Sequence, residues 1–166
     1  MRLFFVQIEL LGQALGIFFL YSYYVSRRGV KMIKKIDHIA IAVPSIEEAR
    51  SYYENVLGLK LDHIEEVADQ KVKTAFFGVG GVWIELLEPT SPDSTVAKFI
   101  ESNKGRGGLH HIAYESSDVA AELKDAESKG VALIDKAPRK GAGNMNIGFL
   151  HPKSTGSALT EFCTPA

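Results

Sequence analysis

The sequence predicts an α+β fold built from two copies of one unit, and three observations carry that prediction. The first is an internal repeat. Ile36-Asp37-His38-Ile39-Ala40 recurs as Leu109-His110-His111-Ile112-Ala113 at an offset of 73, and Gly58-Leu59-Lys60-Leu61 recurs as Gly130-Val131-Ala132-Leu133 at 72. Ile84-Glu85-Leu86 then falls on Thr160-Glu161-Phe162 at 76. Several matches in order at a nearly constant offset point to duplication. The second observation is that each copy passes from a period-two run to a helical period and back to period two. The third is composition: 166 residues, 46% hydrophobic and 23% charged, which is a globular balance and excludes disorder or collagen.

Residues 1–31 stand apart from the repeat. Leu3 to Val25 is mostly apolar and about long enough to cross a bilayer, although Gln7, Glu9 and Gln13 interrupt it. One Arg before the run and no small-residue cleavage site after it fit a signal peptide poorly. The segment is read as an apolar arm, a membrane anchor, or the product of a start codon upstream of Met32. Any membrane contact would pass through residues 3–25. Arg27, Arg28, Lys31, Lys34 and Lys35 follow the apolar run, so insertion would leave the body cytoplasmic. The extension holds four bases against Glu9, which leaves 15 bases and 19 acids in residues 32–166. A mildly acidic body without a basic stripe argues against nucleic acid. The single cysteine, Cys163, excludes an internal disulfide and a C-x-x-C zinc site, and suits a reducing compartment.

The first strand of the body is Ile36–Val43. Its odd positions Ile39, Ile41 and Val43 are large and branched, and its even positions His38, Ala40 and Ala42 are polar or small. Side chains alternate faces, so one face is an ordinary core and the other is cleared of bulk. Ser45-Ile46-Glu47-Glu48 is a capping box that opens a helix. Ile46, Ala49, Tyr53, Val56 and Leu57 keep its period, and Gly58 ends it. Strands at Val72–Val79 and Val82–Glu88 close the first copy. A linker with Pro89 and Pro92 carries a short helix near Ser94–Ser102. In the second copy Asp118 caps a helix through Val119, Leu123 and Ala126 that stops at Gly130, and strands at Asn146–His151 and Ala158–Cys163 follow. Each copy therefore reads βαββ(β), with repeats at about 34–90 and 107–164 inside one domain, 32–166.

The polar outliers occupy equivalent places. His38 and His111 lie on the two first strands. Glu85 and Glu161 lie inside late apolar runs, Val82–Leu87 and Ala158–Phe162. A carboxylate on a buried strand is costly unless it is paired or bound to a metal. Two His and two Glu, one pair per copy, make a candidate site for a divalent cation such as Co, Ni, Zn, Mn or Fe, and the absence of thiolate argues against structural zinc. His110 and Asp37, each next to a ligand candidate, are expected to face the other way. His63 and His151 are left without a role.

This repeat, with His-x-Ala on each first strand, resembles the vicinal oxygen chelate superfamily over Lys34 to Thr164. Four stretches, Asp37–Val43, Pro92–Phe99, Gly108–Tyr114 and Phe149–Gly156, look like its methylmalonyl-CoA epimerases. The resemblance implies paired βαβββ modules forming a curled sheet around a metal-bearing cavity, with His38, Glu85, His111 and Glu161 as ligands of one divalent ion, cobalt foremost. It implies an epimerase acting at C2 of an acyl-CoA substrate, methylmalonyl-CoA, in a cytoplasmic homodimer. Glu161 and Glu85 are the proton-transfer candidates, and Lys153 and Ser154 the candidates for holding the free carboxylate. Some epimerases carry a second basic Glu where this chain has Thr74. The rival enzyme reading is a glyoxalase acting on a glutathione hemithioacetal, and the rival from another class is a non-catalytic small-molecule-binding protein of the same fold.

Overall fold

A strand with one apolar face needs a second layer, and each copy supplies its own helix for that purpose. The computed structural model describes residues 33–166. The expectations for residues 1–31, the apolar run 3–25 among them, lie outside the described residues. No described helix is long and apolar enough to cross a membrane. The first copy holds β1 (Ile33–Ala42), α1 (Ile46–Ser51, continued by a wider turn over Tyr52–Val56), β2 (Leu61–Val67), β3 (Val72–Val79) and β4 (Val82–Pro89). Helix α2 (Thr95–Ser102) links the copies. The second copy holds β5 (Gly108–Ser116), α3 (Val119–Ser128), β6 (Arg139–Lys140), β7 (Met145–Leu150) and β8 (Leu159–Pro165). The sequence reading missed β2, whose residues are mostly exposed and polar, and β6, which is two residues long.

The eight strands form one curled sheet in the order β2-β3-β4-β1-β5-β8-β7-β6. In each copy the first strand pairs parallel with the last, β1 with β4 and β5 with β8. The two copies meet at the antiparallel β1–β5 seam. The outer face is covered by helices. Ser45 Oγ accepts from the Glu48 N–H to start α1, which buries Ile46 against Ala75, Phe77 and Leu86. Asp118 accepts from the Ala121 N–H to start α3, whose Val119, Leu123 and Ala126 pack with Leu150. Ser94 caps α2 in the same way, and Val96 and Ile100 pack on Ala40, Ala42, Val72 and Leu87, closing one end of the inner face.

The seam depends on a close backbone approach. A Cβ on Gly107 would lie 2.2 Å from the Ala42 carbonyl oxygen, a backbone atom that cannot turn aside. A Cβ on neighbouring Gly108 would meet only the Asn103 side chain at 3.5 Å. Gly107→Ala is therefore expected to cost about 3 kcal/mol, near the top of the overpacking range, and to lower the melting temperature by about 6–12 °C, while Gly108→Ala stays within about 2 °C. Thermal melts of the two variants check this. Equal melting temperatures would show that the seam opens without cost.

Candidate metal centre

The β1–β5 register places His38 opposite Ala113 and Ala40 opposite His111. Each histidine thus sits beside an alanine that leaves room above it. Glu85 is next to Ala40 across the parallel β4 pairing, and Glu161 is next to Ala113 across β8. The two carboxylates reach the histidines from opposite modules. His38, Glu85, His111 and Glu161 are all buried.

Their donor atoms converge. His38 Nε2 and His111 Nε2 lie 3.1 Å apart. His38 Nε2 is 3.3 Å from Glu85 Oε2 and 3.9 Å from Glu161 Oε1. His111 Nε2 is 3.4 Å from Glu161 Oε2 and 4.0 Å from Glu85 Oε2. Ligand atoms held at about 2.1 Å from one ion lie about 3.0 Å apart at right angles and about 4.2 Å apart at opposite positions. These five separations fall within that span, and His38, His111 and Glu161 form one tight group of donor atoms.

The residues next to the histidines explain why both Nε2 atoms are free to coordinate. A β-bulge sits in β1 between Ile36 and His38, and another in the seam leaves His110 as the extra residue of β5. Asp37 and His110 occupy equivalent positions of the repeat, and a bulge re-aims a side chain that strict alternation would send away. The expectation that both face away is therefore corrected. Asp37 Oδ2 accepts from His38 Nδ1 at 3.0 Å, and His110 Nδ1 is paired with His111 Nδ1 at 2.8 Å. With each Nδ1 engaged behind, the two Nε2 atoms face each other across 3.1 Å. Only a shared proton or a cation relieves that contact. The donor set thus fits a divalent ion, and hydrogen bonds to the far ring nitrogen of this kind fix ring orientation in metal sites.

The electrostatics of the ion-free protein agree. Burial opposes charge on His38, but the Asp37 hydrogen bond and the Glu85 and Glu161 carboxylates outweigh it and raise its pKa to about 9. Burial pushes Glu161 up to about 7 and also raises Glu85. Burial, with the charge of His38, holds His111 down at about 3, and burial beside His111 holds His110 at about 4. One proton between the histidines is what a cation replaces. Cys163 is buried nearby, and burial raises its thiol pKa, so it is a poor nucleophile.

The centre opens into a cavity of about 870 Å³ lined from both modules. Thr74 is buried in its wall. The two flanks echo one another. Phe76 pairs with Glu85, and Phe149 pairs with Glu161. His63 stacks on Phe76 with centroids 4.5 Å apart, and the Arg139 guanidinium lies 5.3 Å from the Phe149 ring centre. An acid holds each: Asp62 Oδ2 accepts from His63 Nδ1 at 2.7 Å, and Asp135 accepts from Arg139 Nε at 3.2 Å to both oxygens. The sequence reading gave neither flank a role. The Phe76 and Phe149 match at an offset of 73 was the signal that could have found them. His151 also lines the cavity. Lys153 and Ser154 stand outside the lining on the turn after it, where Ser154 Oγ accepts from the Ala132 N–H at 3.1 Å.

Known proteins place this architecture. Residues 37–149 match the Glyoxalase/Bleomycin resistance protein/Dioxygenase superfamily. The chain is 47% identical over 133 residues to the uncharacterized protein YqjC of Bacillus subtilis, covering 80% of this chain and 94% of that one. It is 36% identical over 131 residues to the ethylmalonyl-CoA/methylmalonyl-CoA epimerase of Cereibacter sphaeroides, covering 78% and 97%. Among solved structures, a methylmalonyl-CoA epimerase in complex with methylmalonyl-CoA and ammonium superposes with a TM-score of 0.76 at 36% identity, covering 81% of this chain and 96% of that one. The chain therefore belongs to the glyoxalase/bleomycin resistance protein/dioxygenase superfamily, among the homologues of methylmalonyl-CoA epimerase.

Proposed function

We propose that the protein is a divalent-metal-dependent epimerase that interconverts the two C2 epimers of methylmalonyl-CoA. The observation that carries this reading is the convergence of His38, Glu85, His111 and Glu161 at the base of a cavity of ligand size, in a chain homologous to acyl-CoA epimerases. Cobalt, a homodimer and a cytoplasmic setting complete the reading. When bound, the cation supplies the positive charge that lets a C2 flanked by thioester and carboxylate release its proton as an enolate.

The chain supplies the rest. Glu161 takes the C2 proton. It has one oxygen toward each histidine, so one can stay engaged while the other acts as base. A carboxylate raised to about 7 by burial is matched to proton transfer near neutral pH. Glu85 holds the same centre from the first module and is the other buried carboxylate available for proton transfer. The free carboxylate of the substrate needs a cation inside the cavity. Arg139 is in the lining, whereas Lys153 and Ser154 lie on the turn at its edge, so we assign the anchoring to Arg139 with Lys153 as an outer contact.

The test is proton exchange at C2. Metal-loaded protein in deuterated buffer is expected to incorporate deuterium at C2 of methylmalonyl-CoA and to invert it, followed by NMR and chiral analysis. Isomerisation of a glutathione hemithioacetal with no exchange at C2 would establish the glyoxalase reading instead, which Thr74 in the cavity wall favours by leaving one fewer carboxylate there. Binding without turnover of either would identify a binding protein.

The acid behind His38 gives a second test. Asp37→Asn keeps the shape and removes the charge that orients His38. Metal affinity is expected to fall about 10–100-fold with the fold unchanged, as measured by calorimetric titration. An unchanged affinity would show that the bulge contact is incidental.

A further inference from the structure

Inversion at C2 requires removal of a proton from one face and delivery to the other. This inference rests on the epimerase reading. Glu161 serves the face toward the second module. Glu85 reaches both histidines through a single oxygen, Oε2, 3.3 Å from His38 Nε2 and 4.0 Å from His111 Nε2, which ties it to the centre itself rather than to the opposite wall. On the opposite wall of the cavity, His63 stands free of the centre. We propose that His63 is the second proton-transfer residue, delivering to and removing from C2 on the face opposite Glu161.

Three features support the assignment. His63, Phe76 and Glu85 are successive cross-strand neighbours on β2, β3 and β4, so His63 stands two strands from the ligand, about 10 Å by strand spacing, and its ring lines the cavity. The sheet order puts β2 at the far end of the first module, across the cavity from the second-module strands that carry Glu161. The ring is also held for the task. It stacks on Phe76 within 15° of parallel, and Nδ1 donates to Asp62 at 2.7 Å. Engaging Nδ1 behind leaves Nε2 as the atom that exchanges a proton with the cavity, the same division of labour as in a catalytic His–Asp pair. Arg139 is its counterpart on the other flank, and a guanidinium cannot give up its proton. The two flanks therefore differ in kind: one anchors charge and the other moves a proton. In the forward direction the C2–H bond breaks toward Glu161, its electron pair enters the enolate, and the imidazolium of His63 forms the new C2–H bond from Nε2. Glu161 ends protonated and His63 neutral, and solvent restores both.

The experiment uses the full metal-loaded chain and one epimer of methylmalonyl-CoA in deuterated buffer. His63→Gln is expected to lower inversion about 10²–10⁴-fold while the epimer that presents its proton to Glu161 still exchanges C2–H at close to the wild-type rate. His63→Ala is expected to behave likewise and to recover inversion when imidazole is added to solution. Metal content and melting temperature should match the wild type in both. Glu85→Gln, a variant at the centre itself, is expected to lower exchange and inversion together as metal affinity falls. Inversion by His63→Gln at the wild-type rate overturns the proposal. So does a Glu85→Gln protein that exchanges but no longer inverts, which would assign the step to Glu85. Wild-type protein that neither exchanges nor inverts overturns the epimerase reading, and the role of His63 falls with it.

Discussion

Glu161→Gln is expected to abolish measurable C2 exchange, a loss of at least about 10³-fold, and to remove metal from the purified protein. Three effects add in one substitution. The amide cannot accept the C2 proton, which alone removes about 10²–10⁴ of the rate. It withdraws one of the two negative charges that face the cation. It also lets the site keep a proton between His38 Nε2 and His111 Nε2, which lie 3.1 Å apart and compete for the same space. The fold should be indifferent. Glu161 is buried and its charged form is penalised there, so a neutral amide of the same shape relieves the ion-free protein. The melting temperature without metal is therefore expected to equal or exceed that of the wild type, with an unchanged circular dichroism spectrum. Metal analysis, deuterium exchange and a melt on one preparation decide the matter. Exchange within about tenfold of wild type would rule out Glu161 as the base, whatever happened to the metal.

What the sequence could and could not disclose follows from the geometry of strands. The four candidate ligands stood out because duplication writes each one twice, and because a Glu inside Val82–Leu87 or Ala158–Phe162 breaks an otherwise apolar run. The helices were legible from Ser45, Asp118 and Gly58 or Gly130 at their ends, although the last turn of the first helix widens over Tyr52–Val56. Asp37 and His110 were misread because alternation assumes an unbroken ladder. A bulge adds one residue and reverses the phase, and no local composition marks it here. His63 and Arg139 were passed over for a different reason. They are equivalent in place and unlike in type, so the repeat marked only Phe76 and Phe149 beside them, and both sit on edge strands whose residues look solvent-facing. Lys153 and Ser154 drew attention by their resemblance to a family turn, yet the cavity wall is completed by His151 and Pro152 just before them.

Metal affinity should fall steeply as pH falls, because the ion-free centre holds protons that the cation must displace. The pKa of His38 is raised to about 9, so below that pH the ion-free site carries a proton on His38 and each binding event releases it. Glu161, raised to about 7, adds a second proton below that pH. These steps belong to the coupled set rather than to single residues. The sign is fixed by the competition: affinity is complete above about pH 9, falls about tenfold per pH unit between 9 and 7, and falls about a hundredfold per unit below 7. Between pH 8 and pH 6 the association constant should therefore drop about 10³-fold. Calorimetry in buffers of different ionisation enthalpy counts the protons directly, with one expected at pH 8 and two at pH 6. Asp37→Asn bears on the upper step. Asp37 is the main group raising the His38 pKa, so its loss brings that pKa down and removes proton release at pH 8, even as it weakens the metal through looser orientation. Proton release that stays constant from pH 9 to pH 6 would mean that the two Nε2 atoms do not share a proton, and that the burial of four ionisable groups at this seam is balanced in some other way.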